Sequence, residues 1–166
     1  MKFDLSLVAR VADQIANDPL YTYEHARPGD GGMSPAQQAV HMSQHPRRLM
    51  LGGNQIGKSV AMSAEAWWFA LGRHPFRASP GAGSLGWIVC ADLRAGWPNI
   101  SRKMRGLQPP DVLDPRCKYD DARGYTYMGS KMLRLRNGAL IVGKSGTQEL
   151  IALSGSTIDW LIFDEV

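Results

Sequence analysis

The stretch Gly52-Gly53-Asn54-Gln55-Ile56-Gly57-Lys58-Ser59 constrains this chain more than any other. It fits the pattern G-x-x-x-x-G-K-[ST], a loop whose backbone N–H groups turn inward around a phosphate chain. Gly52 and Gly57 suit a backbone that passes close to its ligand in conformations a Cβ would obstruct. In such a loop Lys58 reaches the β and γ oxygens and Ser59 offers its hydroxyl to Mg²⁺. All eight positions are therefore candidate nucleotide-binding residues, and Lys58 is also a candidate catalytic one. The pattern carries weight only where a strand runs in and a helix runs out. Arg48-Leu49-Met50-Leu51 reads as a short apolar strand, and Ser59 to Arg73 as a helix with Ala61, Ala64, Trp68 and Leu71 spaced for one buried face. The N-terminus of that helix turns its partial positive charge toward the same anion.

A second element lies far along the chain. Asp159-Trp160-Leu161-Ile162-Phe163 reads as a buried strand with Asp164 and Glu165 at its carboxyl end. Mg²⁺-dependent hydrolysis of a nucleoside triphosphate needs this second acidic element. Asp164 would hold the hydration shell of the metal, and Glu165 would orient and polarise the attacking water. Gln37, in Pro35-Ala36-Gln37, sits on a helix before the loop and could bond an adenine edge with donor and acceptor together. A solvated helix glutamine is the competing reading.

The remaining segments supply a frame for these motifs. Helices are expected from Asp4 to Asn17, where Leu5, Val8, Ala12 and Ile15 recur at helical spacing, and from Pro35, capped by Ser34, to about His45. Between them Arg27 to Gly32 is dense in turn formers. After the loop helix, Trp87-Ile88-Val89-Cys90 is a second buried strand, and Leu93 to Leu107 a basic helix with Pro98 near its first turn. Residues 111–130 lack periodicity and read as loop. Asn137-Gly138 predicts a two-residue hairpin turn that places Leu133, Leu135, Leu140 and Val142 on one face, with Arg134 and Arg136 on the other. Strands alternating with helices imply an α/β class with a mostly parallel sheet, whose ligands sit at the carboxyl ends of the strands. The organisation is residues 1–46 as N-terminal helices and an adenine-side segment, and 47–166 as a P-loop core of three-layer type, with the hairpin added.

Composition narrows the class. At 166 residues and 44% hydrophobic, the chain suits one core and leaves no room for a second large domain. It contains no run of eighteen apolar residues and no basic start followed by an apolar stretch, so neither a membrane span nor a secretory signal is indicated and a soluble intracellular protein is expected. Cys90 and Cys117 stand apart, as two reduced thiols would. The 19 Lys and Arg exceed the 15 Asp and Glu by four, which permits contact with nucleic acid without establishing it. His41 and His45 share a helical face but lack a third ligand, Trp67-Trp68 reads as core, and Arg102, Lys103 and Arg105 read as a solvated helix face.

Gly52 to Ser59, Asp164-Glu165, the upstream Pro35-Ala36-Gln37 and the run-up Leu153-Ser154-Gly155 to Asp159 together resemble the ATPase domain of the large terminase subunit, the DNA-packaging motor of tailed bacteriophages. The resemblance implies ATP and Mg²⁺ as cofactors and translocation of double-stranded DNA into a procapsid. It also implies a homo-oligomeric ring that meets the portal protein and the small terminase subunit in the host cytoplasm. The chain departs from the family where a charge-stabilising arginine is often found: Asn54-Gln55 and Ser154 occupy those places. Arg94, Arg102, Arg105, Arg134 and Arg136 are left as candidates, and none is assigned. Similar P-loop enzymes add a later strand between the acidic strand and the loop strand, and the family continues into a motif coupling hydrolysis to movement and a nuclease domain. The chain therefore reads as a piece of a longer protein, prone to association when alone. A helicase-like ATPase and a non-hydrolysing nucleotide-binding module are the alternative readings.

Overall fold

The protein is described by a computed structural model over residues 5–52, 57–146 and 157–164. Along the chain come α1 (Leu5–Ala16), α2 (Pro19–His25), α3 (Pro35–Met42), α4 (Lys58–Leu71), β1 (Leu85–Cys90), α5 (Leu93–Gly106), β2 (Cys117–Asp120), β3 (Gly124–Tyr127), β4 (Met132–Arg134), β5 (Leu140–Ser145) and β6 (Trp160–Asp164). The main sheet has the order β4-β5-β1-β6. Within it β5, β1 and β6 are parallel, and β4 is an antiparallel edge on β5. This is the mostly parallel α/β arrangement that the alternation of apolar strands and helices predicts.

One face of the sheet is set by glycines. A Cβ on Gly143 of β5 would come within 2.5 Å of the Trp97 ring on α5, and one on Gly96 of α5 within 2.5 Å of Cys90 Cβ on β1. Missing side chains thus let α5 lie close on the sheet. Trp67, Trp68, Trp97, Ile88, Ile100 and Ile141 are 0% exposed beneath it, so the tryptophan pair packs the core as expected. Helix ends follow local chemistry. Asp18 accepts from the Leu20 and Tyr21 N–H groups with Pro19 at the first position of α2, Ser34 and Gln37 form a capping box at α3, and left-handed Gly72 stops α4.

Several expectations are corrected. The hairpin closes through three residues, since the Leu135 N–H bonds the Ala139 carbonyl and Gly138 is left-handed at φ +87°. The register becomes Leu133 opposite Ile141 and Arg134 opposite Leu140. A slip of one residue moves a strand's whole apolar set to the other face, so Ala139 and Ile141 are buried in place of Leu140 and Val142. Residues 111–130 are not all loop: β2 and β3 pair as an antiparallel hairpin against α5. Helix α2 was not foreseen, α3 ends at Met42 rather than His45, and Pro98 is buried in the body of α5, where it cannot donate to the Arg94 carbonyl. Val8 and Ile15 of α1 are 55% and 38% exposed, so that apolar spacing is not matched by burial.

The largest departure concerns the approach to the phosphate loop. Residues 48–51 form no strand, and Leu49 and Leu51 are 79% and 81% exposed. A strand needs a neighbour for its N–H and C=O groups, and among the described residues this segment has no ladder partner. Strand β6, which alternates buried and exposed residues, is one edge of the sheet, with Leu161 and Phe163 on its exposed face. His41 of α3 and Arg48 of the loop approach meet on one carboxylate of α4.

Candidate nucleotide-binding site

Parallel pairing of β6 with β1 brings Asp164 beside Cys90 at the carboxyl end of the sheet. Helix α4 starts at the same end, from a left-handed Gly57 (φ +82°) that only glycine adopts without strain. The two elements touch: Ser59 Oγ donates to Asp164 Oδ1 at 3.3 Å, across 105 residues of sequence. Asp164 is 8% exposed. Lys58 Nζ donates to the Gly52 carbonyl at 2.7 Å, drawing the two ends of the loop together. Gly53, Asn54, Gln55, Ile56 and Glu165 lie outside the described residues.

Gln37 is buried against the loop. Its Oε1 accepts the Ser34 N–H at 2.7 Å and its Nε2 donates to the Gly57 carbonyl at 2.9 Å. Both ends of the amide are thereby used, one to cap α3 and one to hold the residue that opens α4.

Sequence reasoning missed the group that fixes this geometry. Glu65, one side of α4, is 6% exposed and accepts from four cationic or ring donors. Arg48 is bidentate, at 2.9 and 3.0 Å, His41 Nδ1 lies at 2.7 Å, His74 Nε2 at 3.3 Å, and Arg77 also bonds it. A carboxylate can only accept, so the His41 Nδ1 carries a proton, while its Nε2 meets the Tyr23 hydroxyl at 3.0 Å. Burial by itself would raise the Glu65 pKa, but hydrogen bonds from His41, His74 and Arg48 and the Arg48 charge outweigh it and hold the group well below the usual carboxylate range. The cluster binds α2, α3, the loop approach and residues 74–77 to α4. In sequence its only sign is a lone acidic residue on an apolar helix face. His41 is thus a core histidine, and His45 is exposed beyond α3.

A cavity of about 330 Å³ opens beside the Ser59–Asp164 pair. Asn99 and Lys103 of α5 line it, with Asp92 at the cap of that helix. Cys90 also borders it, with its thiol pushed up to about 11 by burial and then by the Asp164 charge, so it is a neutral thiol at physiological pH.

A family profile described as "Terminase large subunit, T4likevirus-type, N-terminal" matches residues 49–166. Among solved structures the chain is similar to the large terminase ATPase domain of Thermus phage P74-26, in an arginine-to-alanine variant. The two are 26% identical with a TM-score of 0.50, over 79% of this chain and 52% of that one. The chain spans about half the length of that domain. Among curated proteins none matches.

Proposed function

Because the chain belongs to the T4-like-virus type of large terminase subunits, matched over the family's N-terminal region, we propose that it hydrolyses ATP to drive double-stranded DNA into a phage procapsid. The observation that carries the reading is the Ser59 hydroxyl 3.3 Å from the Asp164 carboxylate. An oxygen-only pair of a hydroxyl and a carboxylate suits a hard cation, and Ser59 and Asp164 would hold Mg²⁺. When bound, Mg²⁺ neutralises charge across the β- and γ-phosphates.

The chain's own residues do the rest. Lys58 leaves the Gly52 carbonyl for the terminal phosphates, the loop N–H groups from Gly52 to Ser59 bind phosphate oxygens, and the α4 N-terminus adds its dipole. Glu165 takes the proton of the attacking water. Gln37 keeps Gly57 in place. As a complete subunit the protein would work in a ring on the portal, with the small terminase subunit, in the host cytoplasm. Among the described residues no helix is long and apolar enough to cross a membrane.

Measurements of Mg²⁺-ATP binding and of phosphate release test this. Lys58→Ala and Asp164→Asn should lose turnover, and Glu165→Gln should bind ATP without hydrolysing it. Parental turnover in Glu165→Gln would remove that residue from the mechanism. Binding without turnover in the parent chain would favour the non-hydrolysing module, and stimulation by double-stranded DNA would favour the motor.

A further inference from the structure

The cavity beside Ser59 and Asp164 has a wall that the proposed function leaves unused. Asn99 and Lys103 are four residues apart on α5 and both line it, together with Ala95 and Gly96 one turn earlier. That spacing puts them on one stripe of the helix. The stripe is small at its start, where Gly96 presses on Cys90, and polar further along. The acidic member of the wall, Asp92, is committed to the helix start, accepting the Arg94 N–H at 2.9 Å. Lys103 is exposed and takes part in no ion pair or hydrogen bond among the described residues. An uncommitted ammonium and an amide therefore share one cavity with the two oxygens assigned to Mg²⁺, the ion that would sit beside the end of the phosphate chain.

We propose that Lys103 and Asn99 contact the terminal phosphate of the bound triphosphate, with α5 supplying within this chain a cation for that group. The inference rests on the reading of the site as an ATP site. Charge supports it: a triphosphate carries more negative charge than Lys58 alone offsets, while Asn54-Gln55 and Ser154 are uncharged. Chemistry supports lysine as well, since an ammonium on a flexible four-carbon stem meets phosphate oxygens as a point charge and needs no fixed fork geometry. Asn99, through its amide N–H, would add one neutral donor beside it.

The test is the affinity of the full chain for Mg²⁺-AMP-PNP set against its affinity for Mg²⁺-ADP, by calorimetry, in the parent, Lys103→Ala, Asn99→Ala and Lys103→Arg. The expected result is about a tenfold loss for the triphosphate analogue in Lys103→Ala, as one charge-assisted contact provides. A smaller loss is expected in Asn99→Ala, ADP binding should be little changed in both, and Lys103→Arg should recover most of the loss. Equal weakening of both nucleotides, or no change in either, overturns the inference while leaving the ATP site standing. A parent chain that binds neither nucleotide removes both together. Since Lys103 is exposed, a thermal melt should match the parent; Lys103→Gln, which keeps the stem, gives the same reading if alanine does not.

Discussion

Glu65 carries more of this structure than any residue of the motifs. Two guanidiniums and two imidazoles converge on a carboxylate from which water is nearly excluded, so its removal would leave buried cations without a counter-charge. Glu65→Gln should cost about 3–5 kcal/mol in urea unfolding. The pH dependence follows from the direction of the shift. Because the folded-state pKa lies below the unfolded value, the contribution is fully present above the unfolded pKa and is lost as pH falls through the folded one. The stability gap between parent and Glu65→Gln should therefore be widest near neutrality and narrow in melts taken at increasing acidity. Gln37 invites a different comparison. With both amide ends engaged, Gln37→Glu keeps the acceptor that caps α3 but loses the donor to the Gly57 carbonyl. ATP and GTP affinities should then fall together; a loss confined to ATP would show instead that the amide reads adenine.

At the level of elements, close packing sets the limits. Gly86 of β1 faces Trp160 of β6, and a Cβ there would lie 2.0 Å from the indole. Gly86→Ala must displace the strand that carries Asp164, so it should cost about 1–3 kcal/mol and weaken Mg²⁺-dependent nucleotide binding as well. The same elements show what the sequence could and could not disclose. Strong local signals were legible: the helix that opens at Gly57-Lys58, the apolar runs of β1 and β6, and Ser34-Pro35 at a helix start. Asn137-Gly138 marked the turn, but its three-residue closure depends on which carbonyl Leu135 finds, and that choice inverted the buried face. In β2 and β3 the alternation of Cys117-Lys118-Tyr119-Asp120 and Gly124-Tyr125-Thr126-Tyr127 was present, hidden among turn formers. Arg48 to Leu51 had the composition of a strand and lacked the neighbour that makes one. Glu65 and the α5 wall of the cavity are products of tertiary packing, for which no local pattern exists.

Across the whole molecule, large apolar side chains stay exposed in two places, the loop approach and the edge strand β6. Leu49, Leu51, Leu161 and Phe163 are all exposed, the latter two on an edge strand. Such an edge is a template for pairing with another chain. The isolated chain should therefore associate at micromolar concentration in sedimentation experiments. Leu49→Lys combined with Leu161→Lys should return it toward monomer; unchanged association in that double variant would place the contact elsewhere.

The sheet order also imposes a timetable. Strand β1 waits between β5 and β6, and the oxygens of Ser59 and Asp164 come within bonding distance only when the latest of these strands docks, long after the glycine loop has left the ribosome. On the proposed reading of the site, a nascent chain would present Lys58 and Ser59 early but would complete the Ser59–Asp164 pair only once β6 is in place, so an unfinished subunit could hold nucleotide without being equipped to consume it.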